Sequence, residues 1–454
     1  MPVLWSQNVF WEALRCECGG RLGHSRDMEE PLSPRESGRW VAERSRDVFI
    51  EEEGVRRAAE MLYGLRASEV FTPQGWKKMN PLAPTFDSDL HINWVFVVDT
   101  MNFSFWPDRE DQQCTVTHRG STYSGYMALC AAVTRAMDEG EEHNQTALHE
   151  TTLAVHLLPC SSTYSLYLLT DTPLTCSTIA VARQTHCTRK PSHFQEKSVR
   201  LGLSAESRAL GPAGVSSAGN HGDPLAGVPI TDAAYMASVS LEALGRVLRS
   251  DTATPMPMLE ERCRALNEGG ALLLRYGGSL RRFLAAGDAR DAPSLIRRIV
   301  DNLPSYRDEA QHEGKKIAFY KRAQILLADF WGIMEARGEG SIPDLDYLTM
   351  FADYRVPQAL VYLGVLRYSD SLMSTLKEGA LLPSGDRREV EIRGCSIWCV
   401  ERIKTELWKL VEQRDGQRSH INSALIDFYL WPYAKEHSKE MAHIPIHHTR
   451  CIYY

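Results

Sequence analysis

The 454-residue sequence contains no long apolar run. No stretch of about 18 consecutive apolar residues occurs, so no transmembrane helix is predicted. The first residues, MPVLWSQNVFWEALRCECGG, also lack the basic start and the continuous apolar segment of a secretory signal peptide. We therefore expect a cytoplasmic protein without membrane attachment.

Motifs of the common nucleotide-binding folds are absent as well. Neither GxGxxG nor GxxxxGK[ST] occurs, which excludes a typical Rossmann fingerprint and a P-loop. The 11 cysteines are scattered and include no pair of CxxC knuckles, which favours reduced thiols over a disulfide framework or a zinc site. Ligand spacing therefore suggests neither a metal nor an organic cofactor.

Positive charge is not in excess either. The chain has 51 basic and 58 acidic residues, which gives a formal net charge of -7. Proteins that bind long stretches of nucleic acid use a basic surface, so no extended nucleic acid is expected as a partner. A small charged ligand fits this composition better.

The composition of the chain divides it into three kinds of segment. Residues 1–30 lack a sustained apolar period and are expected to be a disordered N-terminal extension. Residues 141–227 are rich in Ser, Thr, His, Gly and Pro, which predicts a low-order insertion. The remaining ranges, 31–140 and 228–454, are expected to form a single domain.

Most of this domain has the pattern of helices. Ser33-Pro34-Arg35-Glu36 has the order of a capping box and predicts a helix start. Apolar residues recur at helical spacing in 52–66 and in 240–249, where Leu241 belongs to the predicted buried face. Further periodic stretches occur at 256–276, 292–303, 315–337, 355–378, 390–413 and 421–437.

Two strings differ from the helical pattern. NWVFVVDTMNFSFW (93–106) and CTVTHRGSTYSGY (114–126) are rich in β-branched and aromatic residues and are separated by a polar, turn-like segment. They predict a small antiparallel sheet. The expected fold class is therefore predominantly α with one small antiparallel β-sheet.

The first candidate for chemistry is Asp353, which follows an apolar stretch and has aromatic neighbours at Phe351 and Tyr354. A carboxylate held in such surroundings is partly desolvated and can face a developing positive charge. The alternative is that Asp353 only caps the helix expected to begin near Val356.

A second candidate is the triad Ser423, Asp427 and Trp431, which recurs every four residues and so forms one stripe on a helix. The carboxylate can accept N–H donors from a guanine-like edge, and the indole can stack on a base. The alternative is a surface aspartate beside a packed tryptophan.

A third candidate is the basic cluster of Lys315, Lys316, Lys321 and Arg322. Lysine and arginine at this density can hold one phosphate group. A charge run on a helix is also typical of a solvated face.

Several long strings resemble the queuosine salvage proteins, the queuosine 5'-phosphate N-glycosylase family. They are PRESGRWVAERSRDVFI, NWVFVVDTMNFSFW, RGSTYSGY, MFADYRVPQ, EVEIRGCSIWCVE and RCIYY. The resemblance covers about 31–140 and 228–454. It implies a helical fold similar to DNA glycosylases and a hydrolase that releases queuine from queuosine 5'-phosphate, with no cofactor and no extended nucleic acid.

The resemblance also implies roles for individual residues. Asp353 would be the catalytic carboxylate, with Phe351 and Ala352 lining the queuine pocket beside it. The residues that would bind the base are Ser423, Asp427, Trp431 and Tyr123. Pro432 departs from the family, in which Asp tends to follow the tryptophan. Two other functions stay open: a non-catalytic queuine carrier, and a glycosylase acting on bases within DNA or tRNA.

Overall fold

The computed structural model describes residues 30–85, 88–109, 112–152, 228–288 and 290–454. The predicted extension, 1–30, and the predicted insertion, 141–227, lie almost wholly outside these residues. The chain divides into two units, one of residues 1–137 with 228–454 and one of residues 138–227. A described helix, Tyr126–Thr152, continues past position 141, where the sequence predicts the insertion to begin.

The described residues contain fifteen α-helices and six short strands, so the predominantly α-helical prediction is confirmed. The helices are α1 (Pro34–Ala42), α2 (Glu52–Leu65), α3 (Pro73–Met79), α4 (Asp89–Thr100), α5 (Tyr126–Thr152), α6 (Ala233–Ser238), α7 (Leu241–Val247), α8 (Leu259–Leu274), α9 (Leu280–Leu284), α10 (Ala292–Asn302), α11 (Lys321–Ile333), α12 (Val356–Tyr362), α13 (Asp370–Lys377), α14 (Arg387–Asp415) and α15 (Ser423–Glu436). The strands are β1 (Val48–Ile50), β2 (Thr115–His118), β3 (Ser121–Ser124), β4 (Glu309–His312), β5 (Lys315–Ala318) and β6 (Leu366–Tyr368). They pair antiparallel as β1–β6, β2–β3 and β4–β5.

Helix α1 begins where its sequence predicts. The Ser33 hydroxyl accepts the backbone N–H of Glu36, and the Glu36 carboxylate accepts the N–H of Ser33. This capping box satisfies two N–H groups that the helix itself leaves free. Helix α7 differs from expectation in one respect, because Leu241 at its start is 42% exposed instead of buried. Among the described helices, none combines the length and hydropathy needed to cross a bilayer.

The predicted strand at 93–106 is wrong, because most of this string forms helix α4. The Ser88 hydroxyl caps the helix by accepting the N–H of His91. All residues from Ile92 to Thr100 are buried. A helix enclosed on all sides is apolar all round, so its sequence shows no helical period and resembles a buried strand.

The small antiparallel sheet expected from the two strings forms within the second string alone, because both strands of a hairpin lie in 114–126. Strands β2 and β3 pair with Val116 opposite Tyr123. The turn residues Arg119 and Gly120 both have positive φ, 48° and 77°. Such a turn matches the twist of the two strands.

Two long periodic stretches are interrupted in the structure. The helix predicted over 315–337 begins only at Lys321, because residues 315–318 form β5 and Tyr320 adopts a left-handed conformation at φ 49°. The helix predicted over 355–378 is split into α12 and α13 by Gly364, at φ 69°, and by β6. In both regions strand pairing interrupts a helical pattern.

Helices α1 and α14 approach so closely that a side chain at Gly394 has no room. A Cβ built there would lie 2.5 Å from the side chain of Val41. We expect Gly394→Ala to lower the free energy of unfolding by about 1 to 3 kcal/mol through overpacking. Gly64→Ala in α2 is the matched control, since nothing lies within 4 Å of its Cβ position.

Urea denaturation measures both variants. The control should be neutral or stabilised by up to about 1 kcal/mol, because alanine favours a helix more than glycine does. Equal stability of the two variants would contradict the close packing of α1 on α14.

Candidate active site

A cavity of about 480 Å³ opens in the unit formed by 1–137 and 228–454. Its wall comes from the loop after α4, the start of α5, helix α11, the loop before α12, and α15. Three carboxyl groups and one buried ammonium group line it: Asp329, Asp353, Asp427 and Lys321. So many ionisable groups in a confined space are typical of a functional site.

Asp353 is 8% exposed and is fixed in orientation by its own loop. Its Oδ1 accepts the backbone N–H groups of Arg355 at 2.8 Å and Val356 at 2.9 Å. No described residue donates a hydrogen bond to Oδ2. Burial raises the pKa of this carboxyl group, while Lys321 and the two N–H groups act in the opposite direction. Asp353 therefore caps the start of α12 and also presents a carboxylate to the cavity.

Asp427 extends into the same cavity from α15. Its Oδ2 accepts the backbone N–H of Phe351 at 3.0 Å, which ties the helix to the Asp353 loop. Burial, and after it the charge of Asp353, raises the pKa of Asp427 well above its usual value. A bound group with N–H donors would favour its ionised form.

Lys321 is the buried cation of this group. It is 5% exposed and is the first residue of α11. Burial lowers its pKa, whereas the charges of Asp353 and Asp427 raise it. No described residue forms an ion pair with its ammonium group within 4 Å. Lys321 therefore interacts with two carboxyl groups of the cavity without being paired directly with either.

Helix α11 also brings the third carboxyl group to the cavity. Lys321, Ile325 and Asp329 all line it, and their four-residue spacing places them on one stripe. Asp329 Oδ1 accepts the indole N–H of Trp76 at 2.7 Å. Burial raises the pKa of Asp329 to about 7, opposed by the Trp76 hydrogen bond and by Lys321.

Aromatic rings form another part of the wall. Trp431 and Tyr126 meet edge to face with ring centroids 6.3 Å apart, and Tyr126 contacts Phe105 at 6.2 Å. Phe351 and Phe428 form a second pair at 6.0 Å. These rings offer apolar faces on which a planar heterocycle can stack.

Two cations line the cavity near its exposed edge. Arg355 is half-buried, and Lys435 lies with its ammonium group 5.6 Å from the centre of the Trp431 ring. Partial burial, with a contribution from the Arg355 charge, lowers the pKa of Lys435. Neither side chain has a carboxylate partner within 4 Å among the described residues. Two neighbouring unpaired cations can bind an anion.

The sequence model of the family described as "Queuosine salvage protein" matches residues 82–163 and 223–454. The chain belongs to this family. A mouse relative is 43% identical over 428 residues, covering 94% of this chain and 100% of its own. A bovine relative is 41% identical over 429 residues with the same coverage. A relative from Sphaerobacter thermophilus is 27% identical over 418 residues, covering 92% and 96%. All three are named queuosine 5'-phosphate N-glycosylase/hydrolase.

Several residues predicted for the site of this queuosine salvage family member lie together at the cavity. They are Phe351, Asp353, Asp427, Trp431 and Lys321. They come from three separate segments, namely the start of α11, the loop before α12 and helix α15. Pro432 also lines the cavity from within α15, without ending the helix.

Four other predicted residues are not among those that line the cavity. Ser423 is buried and donates its hydroxyl hydrogen to Glu401 Oε1 at 2.6 Å. Tyr123 is half-buried in β3, and its neighbours Ser124 to Tyr126 reach the cavity instead. Ala352 is buried and presents its carbonyl to Arg393.

The fourth is Arg322, predicted with Lys321 to bind phosphate. Its guanidinium group is fully buried and donates to the carbonyl oxygens of Thr100 and Ser305. It also stacks 4.4 Å from the centre of the Tyr306 ring. Consecutive residues of a helix point about 100° apart, so Arg322 packs in the core while Lys321 lines the cavity.

Asp329, Tyr126, Arg355 and Lys435 line the cavity without having been predicted. For Asp329 the sequence carries a signal, because Lys321, Ile325 and Asp329 share one face of a predicted helix. No comparable local signal marks Arg355 or Lys435, whose proximity arises from the packing of α12 against α15.

The buried ion pair of Arg393 and Asp308 forms hydrogen bonds to two of the segments that line the cavity. Arg393 donates from Nη1 to Asp308 Oδ1 at 2.9 Å and from Nη2 to Oδ2 at 2.6 Å. Its Nε donates to the Ala352 carbonyl at 3.0 Å. Asp308 Oδ2 also accepts the backbone N–H of Lys321 at 3.0 Å. One ion pair therefore holds both the Asp353 loop and the start of α11.

Replacing Arg393 should have a large effect on stability. We expect Arg393→Met to lower the free energy of unfolding by about 3 to 5 kcal/mol, because Asp308 would remain buried without its counter-charge. Arg402→Met is the matched control on the same helix. Arg402 pairs with Glu52 at the surface, where a pair contributes less than about 1 kcal/mol.

Chemical denaturation of both variants measures the difference. Losses of similar size would show that the Arg393 pair is no more important than an exposed pair.

Proposed function

We propose that this protein hydrolyses the N-glycosidic bond of queuosine 5'-phosphate and releases queuine. The observation that carries the proposal is Asp353, a buried carboxylate oriented by two N–H groups and open to the cavity that Asp427 also lines. The names of the relatives support the choice of substrate.

The base would bind between Asp427 and the aromatic wall. Queuine is a 7-deazaguanine, whose N1–H and 2-amino groups are donors on one edge. A carboxylate offers several lone pairs, so Asp427 can accept from this edge while keeping the Phe351 N–H. Trp431 and Phe351 provide apolar faces for the ring.

The sugar would then lie beside Asp353. Cleavage of the bond between C1' and N9 passes through an oxocarbenium-like sugar, which a fixed carboxylate stabilises. The oxygen of water bonds to C1', and the departing base takes up a proton. Burial raises the pKa of Asp353, and the charge of Lys321 acts in the opposite direction, towards the charged form that this step requires. The Lys321 cation also offsets negative charge on the departing base.

The 5'-phosphate would bind to Arg355 and Lys435. Both line the cavity, and they are close enough for the charge of one to lower the pKa of the other. A phosphate group removes this repulsion by pairing with both cations. The sequence predicts Lys321 and Arg322 for the phosphate. This proposal replaces both, because Arg322 packs in the core and Lys321 interacts with Asp353 and Asp427.

Asp353 and Asp427 should fail differently when each is changed to Asn. Asp353→Asn removes the charge that faces the sugar, so we expect kcat to fall about a hundredfold or more while queuine still binds. Asp427→Asn places an amide NH2 near the donors of the base, so queuine affinity should fall by about 2 to 4 kcal/mol.

Release of queuine, followed by mass spectrometry, and calorimetry of queuine binding separate the two effects. A carrier would bind queuine without hydrolysing the nucleotide. Parent-level turnover by both variants would reject the catalytic assignment.

The phosphate assignment predicts a loss that depends on the substrate. Combining Arg355→Met with Lys435→Met should lower kcat/KM for queuosine 5'-phosphate about tenfold or more, but should leave the unphosphorylated nucleoside nearly unaffected. Lys316→Met is the matched control, because Lys316 belongs to the predicted basic cluster but pairs with Glu309 on a strand away from the cavity.

Equal losses on the phosphorylated and unphosphorylated substrates would mean that the two cations serve folding alone. A selective loss in Lys316→Met would instead favour the basic cluster.

A further inference from the structure

Asp329 is the one carboxyl group lining the cavity, among the described residues, that the proposed reaction leaves without a role. Asp353 would face the sugar and Asp427 the edge of the base. Asp329 lies eight residues after Lys321 on the same helix stripe, which is roughly 12 Å along the axis. The charge of Asp353 contributes to the raised pKa of Asp427, whereas the pKa of Asp329 responds to Lys321 and to neither of these carboxyl groups. Asp329 therefore lies apart from the other two.

Asp329 has no counter-charge at ion-pair distance among the described residues, although the charge of Lys321 acts on it from farther away. Its Oδ1 accepts one neutral donor, the indole of Trp76. No described residue donates to Oδ2, and no described cation forms an ion pair with the group within 4 Å. At 5% exposure such a carboxylate is strongly desolvated.

A second buried acid, Asp99, adds negative charge next to Asp329. Asp99 in α4 is completely buried, and neither of its carboxyl oxygens has a hydrogen-bond partner among the described residues. Burial, and after it the nearby Asp329, raises the pKa of Asp99 well above its usual value. Lys321 and Arg322 act on these acids through their charge, but neither forms an ion pair with Asp99 or Asp329 among the described residues. A cation bound beside Asp329 would therefore be favoured.

Queuine carries such a cation. Its 7-deazaguanine ring bears an aminomethyl group at C7, and this secondary amine, protonated at neutral pH, links the ring to a cyclopentenediol. C7 lies across the ring system from the N1–H and 2-amino donors. A base that directs these donors to Asp427 therefore directs its ammonium group away from Asp427.

We propose that Asp329 binds the ammonium group of the queuine side chain and so selects this base over unsubstituted purines. The assignment rests on the proposed function for its choice of ligand. An ion pair formed in this enclosed space would be a charge-assisted hydrogen bond to Oδ2, while Trp76 keeps its bond to Oδ1. Tyr126, which lines the cavity and interacts with Asp329, would pack beside the linker.

Three ligands of increasing size test this role: 7-deazaguanine, 7-aminomethyl-7-deazaguanine and queuine. The variant is Asp329→Asn, which keeps an oxygen to accept the Trp76 N–H but removes the charge. Calorimetry should show that both ligands with an amine bind about tenfold or more weakly to the variant, whereas 7-deazaguanine binds as it does to the parent. Asp427→Asn is the matched comparison and should weaken all three.

The pattern of losses decides the assignment. Equal losses for all three ligands, or no loss for any, would overturn it, since the role of Asp329 would then be structural or absent. A loss for queuine alone would also overturn it, because the contact would be to the diol.

Turnover of queuosine 5'-phosphate by the parent protein is measured separately. Without turnover, the proposed hydrolase activity fails, and a selective loss of the amine ligands would still support the ammonium site.

Discussion

Arg393 and Asp308 form a bidentate ion pair inside the protein, and several parts of the cavity wall are attached to it. The Ala352 carbonyl accepts from Arg393, and the Lys321 N–H donates to Asp308. The guanidinium group lies between the rings of Phe319 and Tyr454, at 4.3 and 4.2 Å from their centres. A planar guanidinium can make all of these contacts at once, which an ammonium group cannot. The geometry of the cavity thus depends on an ion pair that does not itself line the cavity.

The three carboxyl groups of the cavity lower the stability of the folded protein when they are charged. Asp329, Asp353 and Asp427 all have pKa values raised above the ordinary range, with burial as the main cause. An acid whose pKa is higher in the folded than in the unfolded state favours folding at low pH. That contribution is lost as pH rises from the unfolded value through the folded value. At neutral pH these groups oppose folding, because their charged forms are buried. A ligand that supplies N–H donors or a cation would stabilise the charged forms and reduce this cost.

The fold illustrates where local sequence is informative. The Ser33 capping box depends on contacts between near neighbours and is as predicted. The hairpin turn at Arg119 and Gly120 is equally local, but the predicted sheet has its turn between the two strings, at 107–113. Helix α4 has the sequence pattern of a strand, because its enclosure removes the periodicity that identifies a surface helix. Residues 315–318 have a helical pattern but pair with β4, because a strand partner outweighs weak local preference.

The sequence by itself determined the helical class, the capping of individual helices and the candidate residues Asp353, Asp427 and Trp431, since these depend on residue type and on spacing within one segment. Only the tertiary structure decided that Lys321 faces the cavity while Arg322 packs in the core, and that Ser423 bonds to Glu401. It alone brought Asp329, Arg355 and Lys435 to one cavity. The reason is physical: the direction of a side chain follows from its helix, but its surroundings follow from the helices packed against it.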